Sequence, residues 1–271
     1  MKADKLRTAI IYIIIILLGL ICLLPLLNII AISFSSSAAV EGNMVGLIPV
    51  GFSTAAYEKI LEDSQFWHSF LISVERVVLA LIINFVLIVL MAYPLSKTNA
   101  QFRGRNIYAN LMIFAMLFNG GMIPTFLVVK SYGLLNTVWA LVLPGAVPIF
   151  NVILVMNFFA AVPKELEEAA FIDGANPLQV LTKIFIPISK PVLATVSLFS
   201  IVGSWNDFYS GLIYMSKATY YPLMTYIQSL QINVEDLIKQ GNLSAVVDSA
   251  ALGNTNLNAA KIVVAVIPLL L

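Results

Sequence analysis

The sequence has little charge and almost no reactive side chains. Of its 271 residues, 11% are Asp, Glu, Lys or Arg, where a soluble domain carries about 25%. So few charges cannot coat a water-soluble globule of this size. Disorder is excluded as well, because 60% of the residues are apolar and disordered chains are poor in such residues. A single cysteine, Cys22, closes no internal disulfide and builds no thiolate metal site. A single histidine, His68, excludes an HExxH zinc motif. There is no GxxxxGK(S/T) run, so the chain carries no Walker-type ATP site of its own. There is no GxSxG elbow either. The net charge of +1 gives no reason to expect a nucleic acid.

What the chain has is long apolar runs. Mean hydropathy is +0.95, in the range of polytopic membrane proteins. A spanning helix needs about 20 apolar residues. The candidates are 9–32, 77–95 (starting earlier, near Phe66), 106–129, a segment within 134–162, 191–215 with one interruption at Asp207, and 259–271. The last supplies 13 residues. At about 1.5 Å per residue it is roughly 20 Å long, short of a core of about 30 Å. It reads as a sixth helix cut short, with about 10 further apolar residues and a basic tail expected beyond Leu271. The first run follows Lys2, Lys5 and Arg7 but is about twice the length of a signal-peptide core and lacks an A-x-A cleavage pattern, so it reads as a retained span.

Basic residues set the expected orientation. Lys2, Lys5 and Arg7 precede the first run. Lys97, Arg103 and Arg105 follow the second, and Lys164, Lys183 and Lys190 follow the fourth. The 33–65 segment has Lys59 against four acids, and the 217–261 stretch has three basic residues spread over its length. The bias predicts six spans with the N-terminus inside. The expected fold is therefore an all-α polytopic membrane protein. Residues 1–65 would form the first span and an outer loop, and 66–271 the main membrane domain. A short link around Ser131–Leu135 makes the third and fourth spans an antiparallel hairpin.

The inside loop 163–189 is neither polar nor featureless. Pro163 suits a helix start, and Glu165, Glu167 and Glu168 suit the first turns of a helix. Gly174 permits a turn. Asn176 is a good cap, with Pro177 at the next position. Leu178, Leu181, Ile184 and Phe185 fall on one face at helical spacing. Pro187 and Pro191 end this helix and begin the next span. The loop reads as helix, glycine turn, helix, with an acidic, alanine-rich tip suited to a partner's groove.

Glu168-Ala169-Ala170, three residues, Gly174, nine residues, Ile184, one residue, Ile186, Pro187 resembles the EAA signature of ABC importer permeases, with Ile186 in place of the usual leucine. Tyr93-Pro94-Leu95-Ser96, Asn119-Gly120-Gly121-Met122-Ile123-Pro124-Thr125, Gly133-Leu134-Leu135-Asn136-Thr137, Leu143-Pro144-Gly145-Ala146 and Ser204-Trp205-Asn206-Asp207 are similar to further segments of that family. Together they resemble the carbohydrate-uptake branch: the maltose-type second permease, and within it the oligosaccharide systems of the lipoprotein-permease and alginate type. The resemblance runs from about Thr8 to Leu271.

The resemblance implies the type I ABC importer permease fold and ATP-driven carbohydrate import across the bacterial cytoplasmic membrane. It implies no catalysis and no cofactor in this chain, since ATP would be bound by two cytoplasmic ATPase subunits. It also implies a second, related permease and an extracytoplasmic solute-binding protein. The 163–189 loop would be the coupling element. Glu168 would pair with a basic ATPase residue, Ala169 and Ala170 would allow close packing, and Asp173, Gly174, Ile184 and Pro187 would complete the motif. No metal site is expected.

Asp207 is an acid inside a predicted span, where ionisable groups are costly. With Trp205, Asn206 and Tyr209 it would suit a sugar, or it would hydrogen-bond a neighbouring helix. Asn119-Gly120-Gly121 with Pro124 would loosen the third span near the pathway. Glu75 and Arg76 read as snorkelling residues or a local ion pair, Trp67 and His68 as interfacial, and Cys22 as lipid-facing or packed. Gly42–Gly46 matches GxxxG but lies in the polar outer loop. An ion-coupled secondary transporter is the competing reading, but such carriers show internal repeats and several intramembrane charges. An intramembrane enzyme would need a nucleophile–base or metal pair, which the sequence lacks.

Overall fold

The computed structural model describes residues 2–230 and 255–270. Lys239, counted among the basic residues of the 217–261 stretch, and Leu271 lie outside the described residues. The described residues contain helices and no strand.

Two of the apolar runs form long single helices, α1 (Lys2–Ser33) and α4 (Ser64–Leu95). Between them lie α2 (Ser37–Glu41) and α3 (Ala55–Glu62). Within these long helices, 10–33 and 64–95 are long and apolar enough to cross a membrane. The next two apolar runs are bent helix pairs rather than rods. In the first pair, α5 (Arg105–Leu117) and α6 (Met122–Ser131) meet at 112°. In the second, α7 (Val138–Val142) runs through a 3₁₀ turn at Leu143–Gly145 and meets α8 (Ile149–Ala160) at 47°. The loop then supplies α9 (Lys164–Ile172), α10 (Pro177–Val180), a π turn at Leu181–Phe185 and α11 (Ile186–Ile188). The 177–188 segment meets α12 (Lys190–Asn206) at 84°. A short α13 (Tyr209–Tyr214) follows. The last described helix, α14 (Thr255–Leu270), begins four residues before the expected sixth run.

The bends have local causes. At Asn119-Gly120-Gly121 the break is complete rather than a loosening, because Gly121 sits at φ +90°, where a Cβ is penalised. Pro144 and Pro148 flank the second bend, and Pro187 and Pro191 the third. Each lacks the amide that an uninterrupted helix would use.

The chain divides into two compact units, Met1–His68 with Tyr226–Leu271, and Ser69–Thr225. In the first, α14 packs on α1, α2 and α3. Lys261 is buried there and paired. Lys261 Nζ donates to Asp63 Oδ2 at 2.7 Å, and the Tyr226 hydroxyl donates to the same oxygen at 2.9 Å. Asp63 Oδ1 accepts the Phe66 amide at 3.0 Å, capping the first turn of α4. Burial pushes the Asp63 carboxyl up, but these hydrogen bonds, Lys261 first, more than offset it and hold Asp63 below the usual carboxylate range. Burial and the neighbouring Asp63 push the Tyr226 hydroxyl up.

The second unit has its main core between α4, α5, α8, the 177–188 segment and α12. Ile88, Ala92, Val152, Val155, Phe159 and Val196 are buried there. Val180, Leu181 and Phe185 anchor the loop in this core, with Ile184 half-buried. Leu178 is exposed instead of sharing their face. A π turn takes more residues per revolution than an α turn, which shifts the phase between Leu178 and Phe185 and brings Val180 inward.

Candidate functional site

Two sets of residues in the second unit carry the chemistry. The first is the 163–189 loop. Helix α9 ends as Gly174, at φ +82°, donates its amide to Phe171 O and Ala175 donates to Ala170 O. The left-handed residue thus closes the helix and turns the chain. Asn176 then caps α10 through its side chain, and Gln179 returns the bond, a capping box. The left-handed Gly174 thus turns the chain between the two short helices, and the box starts the second of them. Glu168 and Ala169 are exposed, Ala170 half-buried. Asp173 and Gly174, with Gln179, Lys183 and Ile184, line an open cleft of about 500 Å³ between the helices. Pro187 is exposed beside the bend into α12. Glu168-Ala169-Ala170 and the cleft therefore form one accessible surface.

The inner face of α9 is held by a residue outside the motif. Glu167 is 8% exposed, and both of its carboxylate oxygens accept from Lys97 Nζ at 2.7 Å. The Lys97 ammonium also lies 4.2 Å from the ring centroids of both Tyr93 and Phe185, within cation–π range. Tyr93 and Phe185 meet edge to face, as do Phe185 and Phe159. Sequence reading placed Glu167 among the acids favoured by the helix dipole and missed this pairing, which spans 70 residues of chain and leaves no local pattern.

The second set surrounds the breaks at 118–121 and 207–208. Asp207 ends α12, and its Oδ1 accepts the Ser210 amide at 3.1 Å, capping α13. Its other oxygen pairs with Arg76. The Arg76 guanidinium also donates to Asp207 O at 2.8 Å and to Leu141 O at 3.4 Å. Arg76 is 4% exposed, so it does not snorkel. Its partner is 131 residues away, and the adjacent Glu75 faces the exposed side. Trp205 is buried with its ring edge-on to Phe70. Asn206, Tyr209 and Asn119 are exposed. The Tyr209 hydroxyl donates to Met122 Sδ at 2.9 Å, bringing the two breaks side by side. Asn119 Oδ1 accepts the Gly121 amide at 2.8 Å, turning the chain into α6. The Gly133–Thr137 segment also has a local role. Asn136, at φ +62°, accepts the Ser216 amide at 2.7 Å and donates its own amide to Tyr214 O at 3.1 Å. It thereby docks the α6–α7 turn on the end of α13.

A short helix pair with an exposed acidic face is thus joined to apolar helices with breaks. Residues 4–271 match the family described as "Binding-protein-dependent transport system inner membrane component". The chain belongs to this family. Protein LplC of Bacillus subtilis (strain 168) is 40% identical over 252 residues, covering 93% of this chain and 84% of LplC. The polygalacturonan/rhamnogalacturonan transport system permease protein YtcP of the same organism is 39% identical over 268 residues, covering 99% and 92%. Among solved structures, a bacterial ABC transporter involved in import of the acidic polysaccharide alginate has a chain that superposes with a TM-score of 0.85 at 32% identity, covering 100% of this chain and 95% of that one. The fold is thus the all-helical type I ABC permease fold, and the chain is an ABC importer permease of the bacterial inner membrane.

Proposed function

We propose that this permease is one half of the pathway of an ATP-driven importer of oligosaccharides. Its N-terminus lies in the cytoplasm, and six apolar segments span the membrane, two of them as bent pairs. Two cytoplasmic ATPase subunits bind the ATP, and this chain binds none. A second, unlike permease completes the pathway, and an extracytoplasmic binding protein delivers the sugar. The observation that carries this reading is the exposed Glu168-Ala169-Ala170 face, presented on a helix whose opposite side is fixed to α4 through Glu167 and Lys97. A carboxylate on such a face suits a basic residue in the ATPase groove. Asp173, Gly174, Ile184 and Pro187 shape the surface around it.

An oligosaccharide is favoured as cargo by the names of the relatives, which include polygalacturonan/rhamnogalacturonan and arabinooligosaccharide permeases besides the alginate importer. Asn119, Asn206 and Tyr209 offer amides and an aromatic face to the sugar. Trp205 and Asp207 hold the break that presents them. Proteoliposomes carrying both permeases and the binding protein test this, with a panel of labelled oligosaccharides that includes alginate and polygalacturonan fragments. Uptake is expected only with the ATPase subunits and ATP. Uptake driven by an ion gradient without the ATPase would overturn the reading in favour of a secondary transporter.

A further inference from the structure

Among the described residues of α9, Glu167 alone is buried. Leu166, Phe171 and Ile172 are exposed, Ile172 by 85%. The second half of the loop is different. Val180, Leu181 and Phe185 sit in the apolar core. The docking helix is therefore held on its inner side by a charged contact, where an apolar residue would have been the less costly filling. That contact reaches three segments at once. Lys97 stands two residues past α4, its ammonium lies between the rings of Tyr93 in α4 and Phe185 in the π turn, and its charge is met by both oxygens of Glu167 in α9. The Tyr93 hydroxyl lies 3.5 Å from Glu167 Oε1 as well. On the other side, Arg105 Nε donates to Leu95 O at 2.9 Å, closing the end of α4. An ammonium that meets both oxygens of one carboxylate and sits over two aromatic rings from different segments is held from several sides at once.

We infer that Lys97 and Glu167 are positioning residues that fasten the docking helix to α4, so that a displacement of the Glu168 face by the ATPase moves α4 with it. The inference rests on the reading of Glu168-Ala169-Ala170 as the ATPase-docking face. Helix α4 also carries Arg76, which grips the break at Asp207. The same helix thus links the docking surface to the segment that lines the proposed pathway. Rigid transmission between sites requires such a contiguous element.

The test uses the assembled complex with its second permease and ATPase subunits in nanodiscs, in a Cys22→Ser background. Spin labels go on Val78, exposed on α4, and on Lys164, exposed at the start of α9. Val78 lies about 25 Å along the helix axis from the end of α4 at Leu95, so its label stands well away from the contact under test. Pulsed dipolar spectroscopy reads the distance between the two labels. The wild-type pair is expected to keep one distance in the nucleotide-free and vanadate-trapped states. In Lys97→Met the distance should shift between the two states and its distribution broaden. The double variant Lys97→Met with Glu167→Met leaves no orphaned charge. It should assemble like wild type and show the same shift. Lys97→Arg, which keeps the charge and stacks on both rings, should restore the constant distance. A constant distance in Lys97→Met, or a wild-type distance that itself changes between states, would overturn the inference. So would loss of the ATPase from both the single and the double variant, which would assign the pair to shaping the docking face. If the wild-type complex retains no ATPase, the docking reading fails first and the clamp falls with it.

Discussion

Helix α4 carries one buried ion pair at Arg76 and is followed, two residues past its end, by a second at Lys97, roughly 30 Å away along the axis, and the two are built differently. At position 76 the cation is a guanidinium, and besides one carboxylate it binds two backbone carbonyls, Asp207 O and Leu141 O. At position 97 the cation is an ammonium, bound to one carboxylate and two aromatic faces and to no backbone group. The first satisfies main-chain atoms exposed by a helix break, in a region where water is scarce, so the fold depends on it. The second holds a short helix to its neighbour and satisfies no broken backbone. The pair at Arg76 is thus a repair of the fold, and the pair at Lys97 is a joint.

This contrast predicts unequal costs. Arg76→Met should have the largest effect, because it strips two carbonyls of their donor and leaves the Asp207 carboxylate with no cation, held only by the amide and side chain of Ser210. Breaking a buried pair by removing one partner costs about 3–5 kcal/mol. The expected result is a clear loss of folded protein in the membrane and a lowered Tm in detergent. Arg76→Lys should not restore it, since an ammonium cannot reproduce the planar fork. Near-normal abundance of Arg76→Met would erase the distinction drawn between the two pairs.

Glu168→Lys comes next, acting beside the other pair and on function alone. Glu168 is exposed and the fold does not lean on it. A lysine facing a basic ATPase residue places like charges in a desolvated contact, at a cost of several kcal/mol. Normal insertion and abundance are expected, with sugar uptake and substrate-stimulated ATP hydrolysis lost together. Uptake at the wild-type rate would remove the loop from its proposed role.

How much of this could be read from the sequence depends on the range of each interaction. The loop's two helices, the Asn176 cap and the Gly174 turn were legible because each is decided within a few residues. The breaks at Gly121 and Asp207 were legible as weak points, but their angles were not. A bend of 112° is set by what the two halves pack against, which local propensity does not encode. The three ion pairs were not legible. Their partners are 70, 131 and 198 residues apart, and periodicity registers only near neighbours. Arg76 stood next to Glu75, and the adjacent pair disguised a long-range one. Glu167 stood next to Glu168 in the same way. The recognisable motif acid faces outward, and the unremarked one beside it secures the helix.

Gly174→Val sharpens the comparison within the loop itself. Gly174 lies at φ +82° with open space around its Cα. The cost is therefore conformational rather than steric crowding, about 1–2 kcal/mol for a left-handed non-glycine residue. That is too little to unfold a unit whose core lies elsewhere. It is enough to change the angle between α9 and α10. Abundance should stay near normal while the ATPase co-purifies less well, and Gly174→Asn should be milder than Val because Asn tolerates this region better. Equal behaviour of Val and Asn would show that the angle is fixed by the Asn176 capping box instead.

The third ion pair, in the other unit, gives the smallest effect and tests whether pairing alone makes a joint sensitive. Asp63 is partly exposed, at 21%, and has three donors, Lys261, Tyr226 and the Phe66 amide. Its carboxyl titrates below its ordinary value of 3.8. A carboxylate whose folded value lies below its unfolded one adds stability above the unfolded value, and that stability is lost as pH falls through the folded value. The contribution should therefore be intact at neutral pH, begin to fall as pH approaches about 4, and be gone once pH drops below the folded value. Asp63→Asn removes the titrating group. The expected outcome is a Tm lower than wild type at pH 7, with a flatter dependence between about pH 5 and pH 3, so that the two curves converge in acid. Acid unfolding curves that remain parallel would mean that Asp63 carries no folding-linked proton, and that Lys261 is held by its contact with the Tyr226 ring rather than by the carboxylate.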